Sequence, residues 1–128
     1  MTGFSSRVRL LVRTRAGGGD PHDACCEACG IWLGLHGGQM QHRASRGMGG
    51  SSDPATNSVV NAALLCGTPF DLCHGNCERR DEGMRVRGFW LRAGDKPAET
   101  PLILLGGCKV WLTPEGGYSD DPPAEVAA

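Results

Sequence analysis

Short apolar runs separated by glycine-rich turns indicate the first strands of this chain. Residues 31–35 (IWLGL) form one such run, His36-Gly37-Gly38 predicts a turn, and residues 39–43 are predicted to return as the second strand of a hairpin. A third apolar run over 59–66 ends at a glycine. The pattern therefore predicts a small sheet of short strands, with a polar loop over 44–58 that is long enough to have a function of its own.

The second half of the chain predicts one helix followed by further strands. Residues 73–84 have helical spacing, and residues 89–92 and 102–105 are apolar enough to be strands. Residues 108–112 would return across the Gly106-Gly107 turn, which predicts a C-terminal β-hairpin. Helix and strands that occupy separate stretches of the chain are typical of the α+β class.

Both ends of the chain are predicted to lie outside the folded domain. Residues 1–20 place their arginines on odd positions, as on one face of an extended segment, and end in a glycine-rich linker. A flexible basic N-terminal arm is predicted there, with a DNA-contacting arm as the alternative. Residues 119–128 contain Asp-Asp-Pro-Pro and predict an acidic disordered tail. The domain itself is expected to span 21–118.

Composition limits how this domain can be stabilised. With 20 Gly, 8 Pro and 5% aromatic residues in 128, the core is thin, and small loop-rich domains usually need a disulfide or metal staple. Seven cysteines, and no apolar run near the start long enough for a secretory leader or a membrane span, predict a cytoplasmic protein with no membrane partner. The net charge of −1 permits DNA binding without requiring it.

Four cysteines have the spacing of a structural zinc site: Cys26, Cys29, Cys66 and Cys73. Four thiolates can close a tetrahedron around the ion and leave no position for a substrate. Cys25 is adjacent to Cys26 and is an alternative ligand, and one pair can instead be merely buried. A weaker alternative is a redox or metal-sensing protein that uses the remaining cysteines Cys25, Cys77 and Cys108.

A second set of polar residues is placed around these thiols. His42 ends a predicted strand, Asn61 lies five residues before the third thiol, and His74 follows the fourth. Glu78 is four residues after His74 and shares its helical face. Zinc binding would pull these positions together, so we expect them to converge on a second metal ion beside a DNA phosphate.

Several motifs occur in a characteristic order. They are Cys26-x2-Cys29, Gln41-His42-Arg43, Arg46-Gly47-Met48-Gly49-Gly50, Asp53-Pro54, Asn61 and Cys73-His74-Gly75. In this order the chain resembles the HNH endonucleases over residues 22–118, and particularly the small versions with a four-cysteine zinc site found in phages of actinobacteria.

The resemblance implies a ββα-metal (His-Me finger) core stapled by zinc, with His42 as the general base. Asn61 would orient His42 and tie the loop in place. His74, with Gln41 and Glu78, would hold a catalytic divalent ion, either Mg²⁺, Mn²⁺ or Ni²⁺. Many family members have Asp or His at the position of Gln41, and a neutral amide oxygen binds a hard cation less well than a carboxylate.

The resemblance also implies the partners. Arg43 and Arg46 would grip the backbone of double-stranded DNA. A phage origin would place the protein in the host-cell cytoplasm, and some relatives work beside the packaging machinery, which makes terminase and portal proteins candidate partners. The expected function is a metal-dependent endonuclease that hydrolyses DNA phosphodiester bonds. The alternative is a zinc-ribbon DNA-binding module without catalytic activity.

Overall fold

The computed structural model of the chain describes residues 3–45 and 54–124, and within them the fold is a small α+β arrangement with two antiparallel sheets. The helices are α1 (Ser6–Ala16), α2 (Leu72–Glu78) and α3 (Glu82–Val86), with short 3-10 turns at Pro21–Asp23, Pro54–Asn57 and Val59–Asn61. The strands are β1 (Gln39–His42), β2 (Ala62–Leu65), β3 (Leu102–Ile103), β4 (Lys109–Leu112) and β5 (Tyr118–Ser119). The predicted α+β class is confirmed.

Strand β1 pairs with β2 rather than with the segment before it. The register places Gln39 opposite Leu65 and His42 opposite Ala62. The predicted first strand at 31–35 is wrong, because Trp32 makes only an isolated bridge with Cys25 and the chain turns from residue 34. The polar stretch 44–58 therefore connects two paired strands.

Strand β2 lies between two apolar clusters and has no exposed side chain. Ala62 and Leu64 pack into one cluster, whereas Ala63 and Leu65 pack into the other. Alternate side chains of a strand point to opposite faces, so both faces of β2 are covered. The whole fold is built around this strand.

Helix α1 covers one face of β2, and the prediction of a flexible N-terminal arm is therefore wrong. Its apolar residues recur with helical spacing, and they pack into the same cluster as Ala62 and Leu64; they are Phe4, Val8, Leu11, Val12 and Ala16. The arginines on odd positions suggested an extended segment, but the burial of this apolar stripe determines the conformation.

A buried ion pair fastens α1 to the centre of the molecule. The Arg15 guanidinium contacts the Glu27 carboxylate at 2.9 Å and donates to the carbonyl oxygen of Val59 at 3.0 Å. Glu27 in turn accepts from the backbone N–H of Leu64 at 2.8 Å and from the Tyr118 hydroxyl. Because every charged group here is hydrogen-bonded, burying the pair is tolerated. It joins α1, β2 and β5 to the Cys26–Cys29 turn.

The predicted helix over 73–84 is divided in two. Helix α2 ends at Glu78, Arg80 has a positive φ of 61°, and the Asp81 side chain accepts from the backbone N–H of Met84 to start α3. An N-capping carboxylate favours a new helix start over continuation of the old one.

The C-terminal hairpin of β3 and β4 is confirmed, and β5 extends it to three strands. Ser119 is the last residue of β5, so the predicted tail begins too early, and residues 125–128 lie outside the described part of the chain. The predicted strand at 89–92 is wrong: Phe89 and Trp90 are core residues outside either sheet. No helix in residues 3–45 or 54–124 has the length and apolar character needed to cross a membrane.

Candidate metal centre and histidine cleft

The four cysteines with zinc-site spacing come together in one cluster. The sulfur atoms of Cys26, Cys29, Cys66 and Cys73 all lie within 4.8 Å of one another, and those of Cys29 and Cys66 are 3.6 Å apart. A tetrahedral zinc with Zn–S bonds of about 2.3 Å sets its sulfurs about 3.8 Å apart. The cluster can therefore hold a metal such as zinc, as the spacing predicts.

A tight turn presents the first two thiols. The backbone N–H of Gly30 donates to the carbonyl oxygen of Cys26 at 2.9 Å, and the N–H of Cys29 points to the Cys26 sulfur at 3.5 Å. Gly30 has a φ of 81°, a conformation that residues with a β-carbon rarely adopt. The local sequence therefore favours this half of the cluster.

The other two thiols come from the end of β2 and the start of α2. Cys66 directly follows β2, and Cys73 lies in the first turn of α2. The backbone N–H of His74 donates to the carbonyl oxygen of Cys66 at 3.0 Å, which holds the helix against the strand. The cluster therefore also sets the position of the side chain that follows Cys73.

The ionisation of the cluster thiols depends on a positive charge nearby. Burial, together with the charge of neighbouring thiols, raises the pKa of Cys66 and of Cys73. Burial also acts on Cys29, but hydrogen bonds from the Ile31 backbone and the other thiols outweigh it and lower the pKa of Cys29. Ionisation of Cys66 and Cys73 is thus unfavourable unless a positive charge lies among the sulfurs.

The remaining cysteines lie outside the cluster. Cys25 donates its thiol to the carbonyl oxygen of Asp23 at 3.4 Å, so Cys26 and not Cys25 is the cluster residue. Cys77 is buried, and burial raises its pKa to about 12, which disfavours the thiolate that a redox-active cysteine needs. Cys108 is exposed.

A polar cleft of about 250 Å³ opens beside the cluster. Its lining includes Gln41, His42, Ser45, His74, Glu78 and Arg80. Strand β1 contributes two of these side chains and helix α2 another two, because the β1–β2 pair brings the end of β1 next to the helix that follows β2. Residues of β1 and α2 that are at least 32 positions apart in the chain thus face one volume.

The His42 imidazole is held on two sides. Its Nε2 lies 2.7 Å from the Asn57 side-chain oxygen, and its ring stacks on Phe4 with centroids 4.0 Å apart and planes 20° apart. An amide oxygen only accepts hydrogen bonds, so Nε2 is the donor in this contact. Neither Phe4 nor Asn57 was predicted; the helical spacing of Phe4 with Val8 and Val12 was the available signal for the first.

Asn61 clamps the loop that follows β1. Its side-chain oxygen accepts from the backbone N–H of Ala44 at 2.7 Å, and its amide nitrogen donates to the carbonyl oxygens of Ala44 at 3.1 Å and Thr56 at 2.8 Å. The expectation that Asn61 ties the loop agrees with these bonds. The amide that contacts the His42 ring is instead that of Asn57.

His74 and Glu78 form a pair across one turn of α2. The His74 Nε2 and a carboxylate oxygen of Glu78 are 3.6 Å apart, with the imidazole almost fully buried and the carboxylate half exposed. Burial lowers the pKa of His74 although Glu78 acts in the opposite direction, so the ring is neutral near pH 7. Its Nδ1 is buried without a hydrogen-bond partner in the described residues. A neutral imidazole beside a carboxylate is a suitable donor set for a divalent ion.

Gln41 lies next to His42 in the same cleft. Its amide nitrogen donates to the carbonyl oxygen of His42 at 3.0 Å, which orients the side chain. The amide oxygen is the atom it can offer to a metal, and in a described lining with a single carboxylate, that of Glu78, it adds no charge.

Arg43 is not available to a DNA phosphate, contrary to the prediction. It is 1% exposed and donates to the carbonyl oxygens of Gly88, Val60, Pro97 and Thr100 at 2.6–2.9 Å. Burial, reinforced by the charge of Arg15, lowers the pKa of Arg43 to about 9. Its side chain points into the core, where these carbonyl oxygens hold it. Arg46, the other predicted DNA contact, lies outside the described residues.

Arg80 is a cleft residue that the sequence analysis missed. Its guanidinium lies 5.1 Å from the ring centre of Trp90, and its side chain is exposed at the cleft rim. It follows the end of α2, where the helix ends earlier than predicted. An arginine stacked on an aromatic ring and open to solvent is well suited to contact a phosphate.

Comparisons with known proteins find no relative of this chain. No protein-family model matches the chain, and neither a curated protein nor a solved structure matches it.

Proposed function

We propose that this protein is a metal-dependent endonuclease that hydrolyses DNA phosphodiester bonds on a zinc-stapled ββα core. The observation that carries the proposal is the convergence of His42, His74 and Glu78 on one cleft. The antiparallel pair β1–β2 followed by α2 supports it, because this is the element order that the resemblance to HNH endonucleases implies.

In this mechanism His42 is the general base. With its Nε2 held against the Asn57 side-chain oxygen, His42 would take the proton from the attacking water. The Phe4 ring limits rotation of the imidazole, so the base needs little reorganisation when the reaction occurs.

His74 and Glu78 would hold the divalent ion, with the Gln41 oxygen as a weaker third ligand. The chemistry that such an ion supplies when bound is stabilisation of negative charge on the phosphate and on the leaving oxygen. Arg80 is placed to contact a neighbouring phosphate in the way expected of Arg43.

The structural metal we assign to the four thiols is zinc. Four sulfur ligands favour zinc over Mg²⁺ or Mn²⁺, which bind oxygen, so the two sites would not compete for one ion.

A nicking assay tests this function. Supercoiled plasmid is incubated with the purified protein and Mg²⁺, Mn²⁺ or Ni²⁺, and relaxed and linear forms are separated by electrophoresis. We expect His42→Ala to lower the rate by about 10²–10⁴-fold, the usual contribution of a general base. His22→Ala, at an exposed histidine outside the cleft, is the matched control.

A DNA-binding module without catalysis is the second candidate. The uncharged Gln41 favours it, because only one carboxylate is found in the described lining of the cleft. Plasmid that is bound but not cut with any of the three metals would establish this alternative. Cutting that survives His42→Ala would remove His42 from the mechanism.

A further inference from the structure

A second groove, of about 720 Å³, lies on the other side of His42. Helix α1 forms one wall through Arg9, Leu10 and Arg13, and residues 35–40 form the other. Met40 and His42 line both this groove and the histidine cleft, so the two volumes meet at the proposed base.

Positive charge in this groove is not neutralised. Arg9 and Arg13 are one helical turn apart, and no described residue of the lining is acidic. Arg13 donates to the carbonyl oxygen of Gly34 at 2.7 Å, whereas Arg9 is exposed and has no carboxylate partner among the described residues. Burial and then the charge of Arg9 lower the pKa of Arg13. Cations held together in a concave surface attract an anionic ligand.

The apolar part of the lining suits a polymer rather than a free anion. Leu10 is 55% exposed at the groove, and Met40 and Phe4 line it near His42. Sugar rings can lie on such side chains while phosphates face the arginines. Since the groove starts at His42, a strand with its scissile phosphate in the cleft would continue along α1.

We propose that the groove between α1 and residues 35–40 binds the DNA strand next to the scissile phosphate, with Arg9 contacting its backbone. This rests on the proposed nuclease function, because the polymer is identified by the reaction at His42. Helix α1 then has two roles: its apolar face completes the core, and its basic face extends the active site.

The test compares two arginines of the same helix. Arg9→Gln and Arg7→Gln each remove one exposed positive charge from α1, but only Arg9 lines the groove. Binding to a fluorescein-labelled 20-base-pair duplex is measured by anisotropy, without added divalent ion, across a series of salt concentrations. We expect Arg9→Gln to weaken binding about five- to tenfold and to reduce the salt slope by about 1, and Arg7→Gln to change affinity less than about twofold.

Plasmid nicking by the same preparations separates this proposal from the function. Equal binding losses in both variants, with wild-type nicking intact, would overturn the groove and leave the nuclease function in place. A loss specific to Arg9→Gln would support the groove even if no preparation cuts DNA. Wild-type protein that binds no duplex at all would overturn both.

Discussion

The thiol cluster and the histidine cleft share helix α2 but are organised differently. Cys73 and His74 are adjacent, yet the sulfurs of the cluster lie within 4.8 Å of one another, and burial together with the neighbouring thiols raises the pKa of Cys73. The cleft is ordered by the protein itself: Asn57 and Phe4 hold His42, and Asn61 clamps the loop.

This difference indicates which of the two sites, the thiol cluster or the histidine cleft, needs a bound metal to keep its structure. Clustered thiols that repel one another when ionised are stabilised by a cation, so an ion bound there would be part of the fold. The cleft keeps its shape through hydrogen bonds, and a metal there would add chemistry and little stability. Changes in the cluster should therefore affect folding, and changes in the cleft should affect rate.

Loss of the structural metal is expected to have the largest effect. We expect one zinc per chain, and Cys66→Ser should lose it and unfold the domain, because zinc binding of about 10–16 kcal/mol in small zinc domains exceeds the stability of a thin core. Elemental analysis and thermal unfolding by circular dichroism measure this. Cys108→Ser, at an exposed cysteine outside the cluster, should keep both zinc and fold. A cooperatively folded Cys66→Ser protein without zinc would contradict the comparison.

A substitution of Arg43 tests whether a side chain buried in the core stabilises the cleft. Arg43→Met removes the donors to four carbonyl oxygens, and we expect a loss of about 3 kcal/mol in the free energy of unfolding with the zinc content unchanged. Urea unfolding followed by circular dichroism gives the value. Arg92→Met, at an exposed position, should change stability by no more than about 0.5 kcal/mol. Wild-type stability combined with weakened DNA binding would restore Arg43 as a DNA contact.

Asn57 tests whether the protein positions the base. Asn57→Ala should lower the nicking rate about 10–100-fold with little change in stability, as expected for a residue that orients a reacting imidazole. Asn57→Asp keeps the acceptor and adds a charge that raises the pKa of His42. Since the base must be neutral, the acidic limb of the pH–rate profile should move to higher pH in that variant.

The control for Asn57 is Asn76→Ala, which removes an amide from the outside of α2. If Asn57→Asp and Asn57→Ala show the same pH profile as the wild type, Asn57 does not act through His42.

Gln41 should show the smallest effect, because it concerns only metal affinity. Gln41→Asp adds a negative charge at the cleft and should lower the metal concentration for half-maximal nicking about tenfold, corresponding to about 1–2 kcal/mol. Gln41→Leu should raise that concentration. Parallel titrations of the three proteins with Mn²⁺ provide the measurement, and identical midpoints would place Gln41 outside the metal site.

Some parts of the structure could be predicted from the sequence because short spacings determine them. Two cysteines three positions apart, with a glycine next, form the turn that presents both sulfurs. His74 and Glu78 are one helical turn apart, and Gly106-Gly107 reverses the chain between β3 and β4. In each case the interacting residues are neighbours in the chain, so local geometry suffices.

Other features were decided only by packing between distant segments. Strand β1 needs β2 as its partner, and this pairing turns His42 to the cleft and Arg43 into the core, where four backbone carbonyls receive it. The resemblance to HNH endonucleases implied a DNA contact for Arg43, and the spacing of the arginines suggested a flexible segment for residues 1–20. In the tertiary structure, however, Arg43 is buried and the N-terminal segment forms helix α1. The helix packs there because β2 has two apolar faces, and one of them is covered only when α1 folds onto it.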